Sequence, residues 1–166
     1  MLHRLLSSLV CLLLALLSAC ESYDFTVNDK VVYRPQPLFT DFEVPDPALR
    51  GCLEQAIVDG GISVASQLSA LNCSHAGIAS LDGIASFPGI KILRLSSNDV
   101  RNLVEISSIT TLEELYLDNN QIIDPVPLYQ LSNLHALDLS GNPGLQCPDK
   151  SGFARVENLI LPDHCH

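Results

Sequence analysis

From Leu68 onward the chain repeats itself every 22 residues, and no other feature constrains its fold as tightly. The rows read "LSALNCSHAGIASLDGIASFPG", "IKILRLSSNDVRNLVEISSITT", "LEELYLDNNQIIDPVPLYQLSN" and "LHALDLSGNPGLQCPDKSGFAR", and a shorter fifth reads "VENLILPDHCH". Apolar residues fall at the first, fourth and sixth places of every row, as in Leu112, Leu115 and Leu117 or Leu134, Leu137 and Leu139. One row has too few of them to enclose a core, so neighbouring rows must stack and share one. A strand over places three to seven turns places four and six to one side. The rest of the row returns with further apolar residues: Ile78, Leu81, Ile84 and Phe87 in the first, Val100, Leu103, Ile106 and Ile109 in the second. The ninth place holds Asn98, Asn120 and Asn142 in the central rows. A buried amide there must satisfy backbone groups, and stacked rows offer it a ladder of them. These asparagines are therefore expected to be structural rather than ligands. Ala76 and His164 stand at that place in the outer rows, as suits atypical ends.

The pattern Leu-x-x-Leu-x-Leu-x-x-Asn resembles the leucine-rich repeat. Its period, and the row "LEELYLDNNQIIDPVPLYQLSN" above all, is similar to the internalin-type bacterial subclass. The resemblance covers residues 68–166, about five rows. It implies an α/β solenoid with short parallel strands on a concave side, an irregular or 3-10 convex side, and an N-terminal cap helix. "DPALRGCLEQAIVDGG" reads as that helix, within a cap region of residues 46–67. Asp46 suits the N-cap and Pro47 the first helical position. Leu49, Cys52, Leu53, Ala56 and Ile57 share one face, and Gly60 and Gly61 end the helix.

The other end of the chain is read as a signal. His3 and Arg4 precede an apolar run from Leu5 to Leu17, too short to span a bilayer comfortably and laid out like a secretory signal. Leu17-Ser18-Ala19-Cys20 at its end resembles the lipobox of bacterial lipoproteins. That resemblance implies cleavage of residues 1–19 and acylation of Cys20, with palmitate-type chains holding the protein on a membrane. One chain anchors marginally, but two or three on one cysteine hold firmly. Glu21 follows, where family members kept at the inner membrane usually carry Asp, so the outer membrane of a Gram-negative cell envelope is implied. Residues 20–45 carry Pro35, Pro37 and Pro45 and no helical period, and are expected to be a tether. As a flexible coil it would span about 25–30 Å. "TVNDKVVY" within it suits a hairpin or an edge strand.

Cys11 leaves with the signal and Cys20 takes lipid, which leaves Cys52, Cys73, Cys147 and Cys165. Exported chains with an even set of cysteines use them as disulfides. Cys52 on the buried helix face and Cys73 at a core place of row one suggest one staple. Cys147, at the fourteenth place of row four where Leu81 and Leu103 are core, suggests a second with Cys165. Four cysteines allow three pairings, and the sequence excludes neither of the other two.

Chemistry is scarce. His164, Cys165 and His166 with Cys147 are zinc-ligand types, but neighbours along a strand point in opposite directions, and no metal is expected. No Gly-x-Ser-x-Gly elbow or phosphate loop is present, so neither an enzyme nor a cofactor is expected. A net charge of −10 disfavours nucleic acid and bare anionic lipid. What remains is the outward side of the strands, where Arg94, Glu114, Tyr116, Asp118 and Asp138 should cluster. Tyr and Arg are enriched where binding energy concentrates, and the acids favour a basic patch on a partner. The sequence thus suggests a monomeric, membrane-anchored module that binds another protein through this face. The alternative is a structural or assembly component of the envelope with no concave ligand.

Overall fold

A computed structural model describes residues 25–27, 30–33 and 36–165. The expected signal peptide, Cys20 and His166 lie outside the described residues. The chain divides into two units, Met1–Pro37 and Leu38–His166. In the first, β1 (Phe25–Val27) pairs antiparallel with β2 (Lys30–Tyr33), with Thr26 opposite Val31. The β-branched residues on both strands favour this extended pairing. The expected tether thus contains a hairpin.

The second unit opens with residues 38–45, also expected as tether, yet Val44 is fully buried. Phe39 and Phe42 stack at 5.9 Å and both meet the ring of Phe87 edge-on, at 5.8 and 5.2 Å. The domain therefore begins earlier than residue 46. These apolar side chains cover the convex edge of the first row instead of trailing in solvent.

Helix α1 (Pro47–Gly60) follows, with Leu49, Leu53 and Ile57 buried and Cys52 and Ala56 packed beside them. Asp46 does two jobs. Its Oδ1 accepts from the backbone N–H groups of Ala48 and Leu49 at 2.9 and 3.0 Å, capping the helix. Its Oδ2 accepts from Ala79 and Ser80 of the first row at 3.0 and 2.9 Å, clamping cap to repeat. Burial pushes the Asp46 carboxyl up, but these backbone donors, Ser80 foremost, together outweigh it and hold the pKa below the ordinary value. A carboxylate with a lowered folded pKa stabilises above its unfolded pKa and ceases to do so as pH falls through the folded one. Asp46→Ala should therefore cost about 1–2 kcal/mol at pH 7. The gap from wild type should narrow below about pH 4. Urea titrations at pH 7 and pH 3 check both statements.

Five strands, β3 (Ala70–Asn72), β4 (Ile92–Arg94), β5 (Glu114–Tyr116), β6 (Ala136–Asp138) and β7 (Asn158–Ile160), form one parallel sheet in sequence order. The register is the 22-residue repeat itself: Leu71, Leu93, Leu115, Leu137 and Leu159 lie side by side. The strands occupy places three to five, shorter than the expected three to seven. The return segments carry 3-10 turns at Ile84–Ser86, Glu105–Ser108, Val126–Gln130 and Lys150–Phe153. The core runs unbroken through all rows, and every return-segment residue expected in it from Ile78 to Ile109 is buried.

The turn after each strand needs two devices. Place eight takes the left-handed conformation, at His75, Ser97, Asn119 and Gly141, with φ of 59°, 57°, 55° and 66°. Place nine supplies the asparagine. Asn120 donates to Leu95 and Leu117 carbonyls at 2.9 and 3.0 Å and accepts from the Val100 N–H at 3.0 Å. Asn98 and Asn142 make the equivalent bonds one row away on either side.

Cys52 is joined to Cys73 and Cys147 to Cys165, with Cα separations of 5.8 and 5.2 Å. The first ties α1 to the first row. In the second, Cys147 is exposed rather than in the core place expected of it. The Pro- and Gly-rich stretch of row four sets Leu145 inward, 4% exposed, and Cys147 outward.

Candidate binding face

The outward side chains of the sheet are fixed by strand alternation: with places four and six turned into the core, places three, five and seven face out. Register then sets Asn72, Arg94, Tyr116, Asp138 and Ile160 in one row across the strands. Glu114 sits in the neighbouring row between Ile92 and Ala136.

Three of the five expected residues touch. The Arg94 guanidinium lies over the Tyr116 ring, 4.9 Å from its centroid, and 3.7 Å from Glu114 Oε2. The Tyr116 hydroxyl donates to the same Oε2 at 3.0 Å. That hydrogen bond, joined by burial and the Glu114 charge, raises the phenol pKa above its ordinary value against the pull of Arg94. At neutral pH the hydroxyl is a fixed donor. Arg94 thus stacks on Tyr116 and forms a longer ion pair with the carboxylate that Tyr116 hydrogen-bonds.

Asp118 and Asp138 lie on the same face but make other contacts. Asp118 accepts from the Ser96 hydroxyl and, at 2.8 Å, from Asn119 Nδ2. Asp138 accepts from the Ser140 N–H at 2.9 Å. Both remain half-buried acids at the rim of the Arg94–Tyr116 cluster. Glu113, the neighbour of Glu114, turns away and pairs with Lys91 at 2.8 Å. Two further outward places of the register contribute. Ile160 is 51% exposed and extends the face with an apolar patch, and Ser96 holds Asp118. Register alone identifies both, once the strand positions are assigned.

The solenoid thus combines a parallel sheet in 22-residue register, an asparagine ladder and 3-10 returns. A family model described as "Leucine Rich repeats (2 copies)" matches residues 110–149. An internalin (inlF) from Listeria monocytogenes superposes with a TM-score of 0.64 over 80% of this chain and 40% of that one, at 23% identity. The fold is a leucine-rich repeat solenoid. An internalin C2 from the same organism gives a TM-score of 0.44 at 27% identity, over 51% of this chain and 36% of that one. Among curated proteins, the 187-kDa microtubule-associated protein AIR9 of Arabidopsis thaliana is 30% identical over 96 residues, 57% of this chain. The chain spans 6% of that protein's length. In leucine-rich repeat terms, the Arg94–Glu114–Tyr116 cluster occupies the middle of the concave sheet, on the second and third of its five strands.

Proposed function

We propose that the chain is a lipid-anchored binding module of a bacterial cell envelope and that its concave face takes another protein. The observation that carries the reading is the Arg94–Glu114–Tyr116 cluster. Glu114 holds the Tyr116 hydroxyl and Arg94 covers its ring, so part of the side-chain ordering that binding needs is already in place. The acids at its rim favour a partner that presents a basic patch. The anchor rests on Leu17-Ser18-Ala19-Cys20 at the end of an apolar run, and Glu21 after it favours the outer membrane.

The test is capture from detergent-solubilised membranes. Tyr116→Ala combined with Asp118→Ala should weaken capture of a specific partner by about 2 kcal/mol or more, roughly 30-fold, while far-UV circular dichroism is unchanged. Equal capture by the folded variant would refute a concave ligand. If Cys20→Ser then disturbs the envelope while concave substitutions do not, the structural-component reading takes its place. Mass spectrometry of the mature N-terminus decides the anchor: an acylated Cys20 is expected, and an unmodified or disulfide-bonded one refutes it.

A further inference from the structure

The far end of the solenoid holds a cluster that the binding face does not use. Cys147, His164 and Cys165 each present one ligand-type atom, and these atoms lie within 4.8 Å of one another. Alternation along a strand would have kept His164 and Cys165 apart. They sit instead on a 3-10 turn, Asp163–Cys165, that follows β7 and turns both towards Cys147. His164 Nε2 is 2.9 Å from the Leu145 carbonyl. A ring nitrogen held by a backbone carbonyl leaves the other nitrogen as the lone-pair donor, the arrangement that orients metal-binding imidazoles. An opening of about 530 Å³, lined by Pro143, Leu161, Pro162, Asp163 and His164, leads to the ring and brings a carboxylate beside it.

We infer that Cys147, Cys165 and His164 form a redox-gated site for a thiophilic divalent cation of the zinc class. In the oxidised chain the sulfurs bond each other and the site is closed. A dithiol reductant opens it: two electrons cleave the Cys147–Cys165 bond, the reductant's two thiol protons pass to the cysteines, and the reductant leaves as a disulfide. Metal then displaces those two protons. At zinc–sulfur and zinc–nitrogen bonds of about 2.3 and 2.0 Å, tetrahedral ligand atoms stand about 3.5–3.8 Å apart. The cluster is within a side-chain adjustment of that geometry. The gate is selective. Cys147 is exposed to a reductant and Cys165 half-buried, whereas the other disulfide joins a half-buried Cys52 to Cys73, which is 2% exposed. Because the ligands must be deprotonated, affinity falls as pH falls.

The experiment uses the full chain carrying Cys11→Ser and Cys20→Ser, so that only the four domain cysteines remain. Limited phosphine reduction to two free thiols per chain, followed by Co²⁺, should give the absorption of a tetrahedral cobalt thiolate at one equivalent, displaced by Zn²⁺. The oxidised chain should give none. An outer-shell partner alone is worth about 10–100-fold, so losing the ligand in His164→Ala should weaken Co²⁺ binding by more than about tenfold. His164→Cys should restore it. Two free thiols without a cobalt spectrum, or an unchanged spectrum in His164→Ala, would overturn the site. A reduced chain that loses its circular dichroism and regains it with Zn²⁺ supports the site; one that does not regain it overturns it.

Discussion

Asn120→Ala should lower the unfolding free energy by about 2–4 kcal/mol, the cost of orphaning a buried donor and opening a small void. The asparagine is 1% exposed. Its loss is asymmetric. The Leu95 carbonyl keeps the Nδ2 of Asn98, and the Leu117 carbonyl keeps that of Asn142. The acceptors of the ladder are thus doubly served. The Val100 N–H has Asn120 Oδ1 as its hydrogen-bond partner, and no backbone carbonyl takes its place. Asn120→Asp separates the two halves of this account. It retains the acceptor for Val100 but sets a carboxylate against two carbonyl oxygens. It should be the more destabilising variant at neutral pH and recover as the carboxyl protonates in acid. Urea unfolding of both variants at pH 7 and pH 4 is the check. A cost under about 1 kcal/mol for Asn120→Ala would show that the turn, not the amide, holds the row.

The same ladder shows what a sequence reader sees and misses. Stacking in register makes one residue type at one place do one job, so the rows, the strands, the core and the asparagines were legible from period alone. Capping chemistry made α1 legible too, through Asp46, Pro47 and Gly61. Jobs shared by unlike residues were hidden. At place 22, Thr111 donates to the Pro88 carbonyl, Asn133 to that of Thr110 and Arg155 to that of Leu131. A hydroxyl, an amide and a guanidinium there all pin a row to its neighbour, but share no letter. At place eight, Asn119 and Gly141 announce a left-handed turn, while His75 and Ser97 conceal it. The concave face was legible because register assigns it. The Tyr116–Glu114 hydrogen bond was not, since it depends on side-chain reach between places three and five of one strand. Residues 38–45 were misread for a different reason. Their apolar residues follow no period, and only packing against a distant ring, Phe87, reveals their role.

That packing can be tested at a single atom. Gly83 has φ of 89° in the return of the first row, and a Cβ added there would stand 2.2 Å from the Glu43 carbonyl oxygen and 3.0 Å from Val44 Cγ2. Gly77 has φ of 78° and nothing within 4 Å of such a Cβ. Both alanine variants carry the cost of a left-handed backbone, about 1–2 kcal/mol, and Gly77→Ala should show little more. Gly83→Ala must also push residues 43 and 44 away. Val44 is fully buried and Phe42 lies 5.2 Å from Phe87, so the displacement uncovers several apolar side chains, each worth about 1.5–3 kcal/mol when fully buried. Gly83→Ala should therefore exceed Gly77→Ala by at least about 2 kcal/mol in urea unfolding and admit protease between residues 38 and 45. Equal costs, with that segment still resistant, would mean that residues 38–45 ride on the domain without stabilising it. The larger cost would mean that the solenoid is closed at this end by α1 and residues 38–45 acting together, since Asp46, between them, caps the one and clamps both to the first row.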